Sequence, residues 1–410
     1  MHSHSQISKQ GDPPLGIYGK SSPAFQAARH DKYSLQKSAR LIRRGFPVAK
    51  CLRWAIPKQH VSILHAKEYG KAFYAGLETC GSVWECPVCA AKISERRRAE
   101  VLAAMTAHKA AGGDVLLLTL TNPHYRGDNL PQLLQGQAQA MRRFWGTRAA
   151  ARLSESLGLV GSIRALEVTD GTKSRVNNGW HPHFHILLFV ARGVDLERAR
   201  REFFAIWSNA CRLAGLPLPS FERGVMLDNG NKAQRYISKW GLESEMTKGH
   251  LKKGKDQGRT PFDLLRDYRE GDKQAGALFV EYANAFKGKR QLYWSSGLKD
   301  RFSIEDVTDK DLADREEEEA ILGHELSRED WKTVLIFDVR AEILQAFEDG
   351  GAFQVAECLS ILRGEAEPDP KDQTELSFEG VADYMNWTPE RFEEFKAWIA
   401  SGSPDLVTVT

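Results

Sequence analysis

Histidines occupy alternate positions in Trp180-His181-Pro182-His183-Phe184-His185, and the apolar run Ile186-Leu187-Leu188-Phe189 follows at once. Strand side chains alternate between faces, so His181, His183 and His185 share one side. Imidazoles gathered on one face are ready ligands for a divalent metal. The same pattern also fits a strand end whose histidines are satisfied by backbone or solvent. A second reactive group lies 51 residues beyond His185, at Tyr236 in Lys232-Ala233-Gln234-Arg235-Tyr236-Ile237-Ser238-Lys239-Trp240. At about 100° per residue a helix places Lys232, Tyr236, Lys239 and Glu243 on one face. Ala233, Ile237 and Trp240 fall on a neighbouring face suited to docking on a sheet. A tyrosine flanked by lysines one turn away combines a nucleophile with phosphate-binding cations. Taken alone, the segment is better read as an ordinary half-exposed amphipathic helix.

Four of the six cysteines lie early in the chain, at Cys51, Cys80, Cys86 and Cys89. A Cys-x2-Cys knuckle suits tetrahedral zinc, and disulfides are rare in a reducing cytosol. Cys51 is the expected fourth ligand, with His60 or His65 as substitutes. Cys211 and Cys358 stand alone and read as structural. The adjacent Arg96-Arg97-Arg98 fits either a phosphate-binding patch or a solvated helix face.

The elements that must position these groups follow from pattern and punctuation. A helix is expected over Ile93–Ala111, broken by Gly112-Gly113 before a strand at Val115–Thr121. A long helix is expected over Leu130–Leu157, then a strand at Val160–Thr169. The turn-rich stretch 170–179, with Asn177-Asn178-Gly179, reads as a hairpin link, making that strand the antiparallel neighbour of the histidine strand. An amphipathic helix over Leu196–Leu213 and a strand near Phe221–Leu227 complete the approach to the tyrosine helix. Strands and helices mixed in this way define an α+β class with a central antiparallel sheet and flanking helices.

Charge divides the chain. Residues 301–410 hold 10 Lys+Arg and 28 Asp+Glu, whereas residues 1–300 hold 47 and 26, a net of +21 against −18. So basic a body points to a polyanionic partner, with the acidic tail a separate module. No apolar run reaches the ~18 residues of a membrane span, and the N-terminus lacks a signal-peptide core, so a cytoplasmic protein is expected.

The histidine strand and the tyrosine helix together resemble the HUH endonucleases, and among them the rolling-circle replication initiators (Rep proteins) of plasmids. That family has three ordered motifs. Leu116-Leu117-Leu118-Thr119-Leu120-Thr121-Asn122-Pro123 is similar to the first, an apolar strand ending in Thr-x-Thr. His183-Phe184-His185 matches the second, and Tyr236 with Lys239 the third, a Tyr-x-x-Lys helix. The resemblance covers roughly residues 50–300. It implies a nickase and religase acting on single-stranded or hairpin origin DNA, with Tyr236 as nucleophile and Lys239 assisting it. It maps the ligands of a catalytic Mg2+ or Mn2+ onto His183 and His185. The family often takes a third ligand from the neighbouring strand, here Glu167, and many members carry a cysteine cluster for structural Zn2+ ahead of the catalytic motifs.

Lys232, Lys252, Lys253 and Lys255 are the expected DNA contacts, and a host helicase or polymerase is a further expected partner. The expected division is a flexible tail over 1–45, a Cys-rich zinc element with a basic helix over 46–112, the HUH nuclease domain over 113–300, and an acidic linker with a helical C-terminal region over 301–410. Close relatives often carry Tyr or Glu four residues before the nucleophile, where this chain has Lys232. The terminating cleavage then falls to water activated by Glu243 or to Tyr236 of a second subunit, and the sequence leaves both open, as it does the oligomeric state. Two other readings stand beside this one: a single-strand transposase or relaxase of the same superfamily, and a non-catalytic zinc-containing DNA-binding regulator. Relaxases usually place the tyrosine before the histidines, the reverse of the order here.

Overall fold

The computed structural model of the protein describes residues 23–66, 71–174, 177–238, 258–315 and 320–364. Lys239, Glu243, Lys252, Lys253 and Lys255 lie outside them. The chain divides into two compact units that interleave along the sequence. One takes residues 1–30, 52–78 and 316–410, the other 31–51 and 79–315. The charge division at residue 300 therefore does not coincide with a unit boundary.

Pro23–Ile42 forms helix α1, within the stretch expected to be a flexible tail. The reason is burial of one stripe, with Leu35 and Ala39 fully enclosed. In the first unit β1 (Val61–Ala66) pairs antiparallel with β2 (Ala72–Ala75).

The second unit is built on a five-stranded antiparallel sheet. Helix α2 (Pro87–Ala110) leads into β3 (Asp114–Leu120), followed by α3 (Leu130–Trp145) and α4 (Arg148–Ser156). The single long helix expected over Leu130–Leu157 is thus two. Gly146 ends the first, and the Thr147 side chain accepts the Ala150 N–H at 3.1 Å to start the second, an N-cap that ordinary amphipathic patterning conceals. Next come β4 (Gly161–Asp170), β5 (Trp180–Val190) and α5 (Leu196–Leu213). The strand expected near Phe221–Leu227 opens with a helical turn, α6 (Phe221–Gly224), before β6 (Val225–Asp228). Ser220 caps that turn. Helix α7 (Gly230–Ser238) carries the tyrosine, and α8 (Pro261–Arg269), α9 (Lys273–Phe286), β7 (Leu292–Trp294), α10 (Leu298–Arg301) and α11 (Asp309–Asp314) follow. The strand order is β6-β3-β5-β4-β7.

Both faces of this sheet are covered, which explains the unbroken apolar runs of its central strands. Leu116, Leu118, Leu120, Ile186 and Leu188 pack with Phe144 of α3 and Phe203 and Trp207 of α5 on one face. Val115, Leu117, Leu187 and Phe189 pack on the other with Val101 and Met105 of α2 and with Ala233 and Ile237 of α7. Truncating Phe144 or Trp207 to alanine is worth about 3–5 kcal/mol, a large share of a domain's stability.

The linker expected after residue 301 includes α11, which holds the basic face of α2. Arg97 pairs with Asp309 at 3.0 Å and with Glu100 at 3.0 Å, and Arg96 donates to the Leu312 carbonyl at 2.5 Å. Arg97 is buried, so neither a phosphate patch nor a solvated face describes it.

The C-terminal part of the first unit adds β8 (Ala320–Leu326), α12 (Arg328–Phe337) and α13 (Arg340–Arg363, broken at Gly351). β8 pairs antiparallel with β1, Val61 facing Leu326. Trp331 stacks edge-on against Tyr74 at 5.1 Å, and the Tyr74 hydroxyl donates to the Arg340 carbonyl.

Asp31 of α1 receives hydrogen bonds from Arg266 at 2.8 Å and Arg269 at 2.9 Å. Burial alone would raise its pKa, but the two guanidinium groups bring it below the ordinary carboxylate value. A depressed carboxylate stabilises the fold above its unfolded pKa, and that contribution is lost as pH falls through the folded value. Asp31→Asn is therefore expected to cost about 1–2 kcal/mol at neutral pH. Denaturant unfolding should show the gap from wild type closing as pH falls below the ordinary carboxylate range. A gap that persists unchanged in acid would refute the charge-pairing account.

Candidate functional site

The hairpin of β4 and β5 sets the site. Its register places Glu167 directly opposite His183, Ala165 opposite His185 and Thr169 opposite His181. Directly opposed residues share a face, so Glu167 and the three histidines stand on the side covered by α2 and α7. The link between the strands enters β5 at Gly179, whose φ of +70° and close approach to Arg126 exclude a side chain.

His183 Nε2 and His185 Nε2 each lie 3.6 Å from Glu167 Oε2. The other nitrogens are held elsewhere. His185 Nδ1 is 2.9 Å from Thr119 Oγ1, and His183 Nδ1 is 3.1 Å from the His181 carbonyl. A ring whose Nδ1–H is donated to an oxygen presents Nε2 as a lone-pair donor, the tautomer that a metal requires. Donors about 2.1 Å from a shared ion stand roughly 3–4 Å apart. The potential ligand atoms of Glu167, His183 and His185 all lie within 4.8 Å of one another, so the three can hold a metal ion.

Electrostatics prepares two of the three. Burial would raise Glu167, but the His183 hydrogen bond and the nearby imidazoles of His185 and His183 bring it down to about 2. Burial pushes His185 down to about 4, against the pull of Glu167. Burial also opposes the charged form of His183, yet the Glu167 carboxylate holds this ring above the ordinary imidazole value. At neutral pH the carboxylate is ionised and His185 neutral, the charge states of ligands.

His181 is placed beside this trio rather than within it. Its Nε2 meets Thr121 Oγ1 at 2.8 Å, and its ring stacks on His124 at 4.5 Å. Burial, with repulsion from His183, His124 and His185, lowers it to about 3. Thr119 and Thr121 thus anchor two of the imidazoles. The sequence held a signal for this, since the Thr-x-Thr alternation matches the His-x-His alternation on the adjoining strand. His124 gave no such signal.

Tyr236 arrives from α7. Ala233 and Ile237 are buried against the sheet, and Gly230 lets the helix start within 3.1 Å of the Val115 carbonyl, measured from where a Cβ would be. The Tyr236 hydroxyl donates to Glu167 Oε1 at 2.5 Å, and its ring lies 4.7 Å from that of His185. Glu167 therefore turns one oxygen to the imidazoles and the other to the phenol. Lys232, one turn earlier, is half exposed and pairs with Asp228 at 2.9 Å.

The cysteines form a second cluster in the same unit. Cys51 Sγ lies 3.4 Å from Cys89 and 3.7 Å from Cys86, and Cys80 lies 3.7 Å from Cys89. Sulfurs about 2.3 Å from a tetrahedral zinc stand about 3.8 Å apart. The four thiols fit such an ion, and neither His60 nor His65 belongs to the cluster. Cys86 caps the N-terminus of α2 and accepts from Gln36 Nε2 at 3.2 Å. Burial disfavours its thiolate, but hydrogen bonds from Cys51, Cys80 and Cys89 hold its pKa well below the ordinary thiol value.

An antiparallel sheet presenting a carboxylate, two imidazoles and a tyrosine, with a cysteine cluster ahead of them, defines a class in which a trio able to hold a metal and a phenol share one sheet face. The sequence profile described as Replication protein (Rep_1) matches residues 73–342, and the chain belongs to this family, the plasmid rolling-circle initiators its motif order resembles. A "Protein rep" of Streptomyces lividans is 28% identical over 343 residues, covering 65% of this chain and 74% of that protein. A "Protein rep" of Lentilactobacillus hilgardii is 26% identical over 216 residues, 50% of this chain and 64% of its own. A protein of Streptomyces cyanogenus named "Neomycin resistance protein" is 30% identical over 153 residues, 32% of this chain and 34% of its own. No solved structure matches the chain.

Two measurements test these sites. His183→Ala and His185→Ala should each abolish divalent-metal binding in titration calorimetry, and Glu167→Ala should weaken it less; unchanged affinity in either histidine variant would refute the ligand set. Elemental analysis of protein purified without chelator should give one zinc per chain at the cysteine cluster. Cys86→Ser should lower soluble yield, because structural zinc contributes directly to folding.

Proposed function

We propose that the protein initiates plasmid rolling-circle replication by nicking and rejoining single-stranded or hairpin origin DNA, with Tyr236 as nucleophile. The observation that carries this reading is the shared carboxylate. Glu167 accepts the Tyr236 hydroxyl at one oxygen and faces His183 and His185 with the other, which ties a nucleophile to a metal-binding trio.

The chemistry is a transfer between two oxygen esters of phosphate. The phenolic oxygen of Tyr236 attacks the scissile phosphorus, the bond from phosphorus to the 3′-oxygen breaks, and that oxygen leaves with a proton as a 3′-hydroxyl. The product is a 5′-phosphotyrosyl ester that conserves the bond for rejoining. Tyrosine ordinarily loses its proton near pH 10, so attack needs help in removing it. Glu167, ionised and already bonded to the hydroxyl, orients the phenol, accepts its proton as the new phosphorus–oxygen bond forms, and passes it to the departing 3′-oxygen. Lys239 fits the role of a cation beside the phenolate or phosphate. A Mg2+ or Mn2+ held by Glu167, His183 and His185 would supply Lewis-acid neutralisation of the anionic phosphate; imidazole ligation is better matched to Mn2+. Lys232, Lys252, Lys253 and Lys255 are proposed DNA contacts, and Zn2+ is the proposed occupant of the cysteine cluster.

Tyr236→Phe should abolish the covalent adduct formed with single-stranded origin DNA and Mn2+, with a rate loss of roughly 10^4-fold or more. DNA affinity should stay within a few-fold of wild type. Denaturing electrophoresis reads the adduct directly, and undiminished adduct in the Phe variant would overturn the assignment of the nucleophile.

A further inference from the structure

The sheet face opposite the imidazoles carries a cation that the proposed chemistry does not use. Arg164 on β4 stands directly opposite Tyr293 on β7, the outermost strand on that side. Strand alternation sends Ile163, Ala165 and Glu167 to one face and Arg164 to the other. There its guanidinium lies 4.8 Å from the Tyr293 ring centre and 5.5 Å from that of Phe184. Phe184 is buried, but Tyr293 is 46% exposed.

Among the described residues, no carboxylate, carbonyl or hydroxyl accepts a hydrogen bond from Arg164. The contrast within the same unit is sharp. Arg43, Arg97, Arg259 and Arg266 are each mostly buried, and each pairs with a carboxylate. Burial lowers the pKa of Arg164, with Tyr293 pulling weakly the other way, as expected of a charge withdrawn from water without an anion. Its two aromatic neighbours offset part of that cost through cation–π attraction, and leave its hydrogen-bonding edge, which is only partly buried, without a protein acceptor among the described residues. Lys287 and Arg290, both exposed, precede β7 in the chain.

We propose that Arg164 and Tyr293 form a binding site for one nucleotide of single-stranded DNA, its phosphate on the guanidinium and its base on the exposed tyrosine ring. The proposal rests on the reading that this chain works on single strands, and it places a second contact on the face away from Tyr236. A planar guanidinium is suited to bidentate phosphate binding. An exposed ring beside it offers the sequence-tolerant stacking that single-strand binders use. A duplex keeps its bases stacked on each other and would meet the phosphate contact alone.

The test is fluorescence anisotropy with a labelled oligothymidylate and full-length protein carrying Tyr236→Phe, so that no cleavage intervenes. Arg164→Ala should weaken binding by about tenfold and flatten the log–log salt dependence by ~0.7, one single-strand phosphate contact. Tyr293→Leu should weaken single-strand binding by roughly five- to tenfold and spare duplex binding, while Tyr293→Phe keeps wild-type affinity. Ultraviolet cross-linking to a bromodeoxyuridine oligonucleotide should label Tyr293. Wild-type affinity and salt slope in both Arg164→Ala and Tyr293→Leu would overturn the site, and equal loss on single and double strands in Tyr293→Leu would overturn the stacking. If thermal melting shows that Arg164→Ala is unfolded, Tyr293→Leu and the cross-link decide alone. Adduct formation by protein with native Tyr236 is scored separately. Normal adducts with unaffected binding in these variants sink this site only, whereas absent adducts with the expected binding losses sink the nicking chemistry only.

Discussion

The pairing of β4 with β5 is the interaction on which the site depends. Side chains alternate along a strand, so a slip of one residue would send Glu167 to the opposite face of the sheet from the imidazoles. Apolar pairs on both faces oppose that slip, since Ile163 faces Leu187 toward α2 and α7 while Leu166 faces Phe184 on the other side. The carboxylate meets the histidines because greasy neighbours hold the ladder in register.

Along β5 the environment changes from dry to polar within a few residues. Phe189 and Leu187 are buried beneath α2 and α7, and His185, His183 and His181 continue the same face toward partial exposure. The core thus anchors one end of the strand while the other stays open to solvent. Two threonine hydroxyls and a backbone carbonyl restrain the rings there. Helix α2 links this face to the cysteine cluster, because Cys86 caps its start and Val101 and Met105 pack with Ile237 of the tyrosine helix. The cysteine cluster thus sits at the start of the helix against which the tyrosine helix packs.

Much of this was legible from residues alone. The alternation of His181, His183 and His185, the turn-rich link that makes a hairpin of the two strands and the apolar stripe of Ala233 and Ile237 each state their geometry locally. So do the four cysteines, apart from the choice of Cys51 over His60 and His65, which needs the folded chain. What escaped depends on distant partners. Helix α1 looks polar until Leu35 and Ala39 find cover, and Arg97 looks solvated until Asp309 returns to it. β8, in Ala320-Ile321-Leu322-Gly323-His324-Glu325-Leu326, has no clean alternation and becomes a strand only because β1 offers it an edge. The break at Gly146-Thr147 is written in the sequence as a cap, but helical periodicity on both sides masks it.

The interleaving of the two units has a consequence during synthesis. β1 and β2 leave the ribosome early, yet the strand that completes their sheet begins only at Ala320. At about 5–20 residues per second, that wait is on the order of ten to fifty seconds. Throughout it β1 offers an unpaired backbone edge and Tyr74 lacks its cover, whereas the five-stranded sheet has all its strands once Trp294 is made. Such an edge is a template for pairing with another nascent chain. The pace of translation, and any chaperone that shields residues 52–78 meanwhile, therefore bears on how many chains reach the native state.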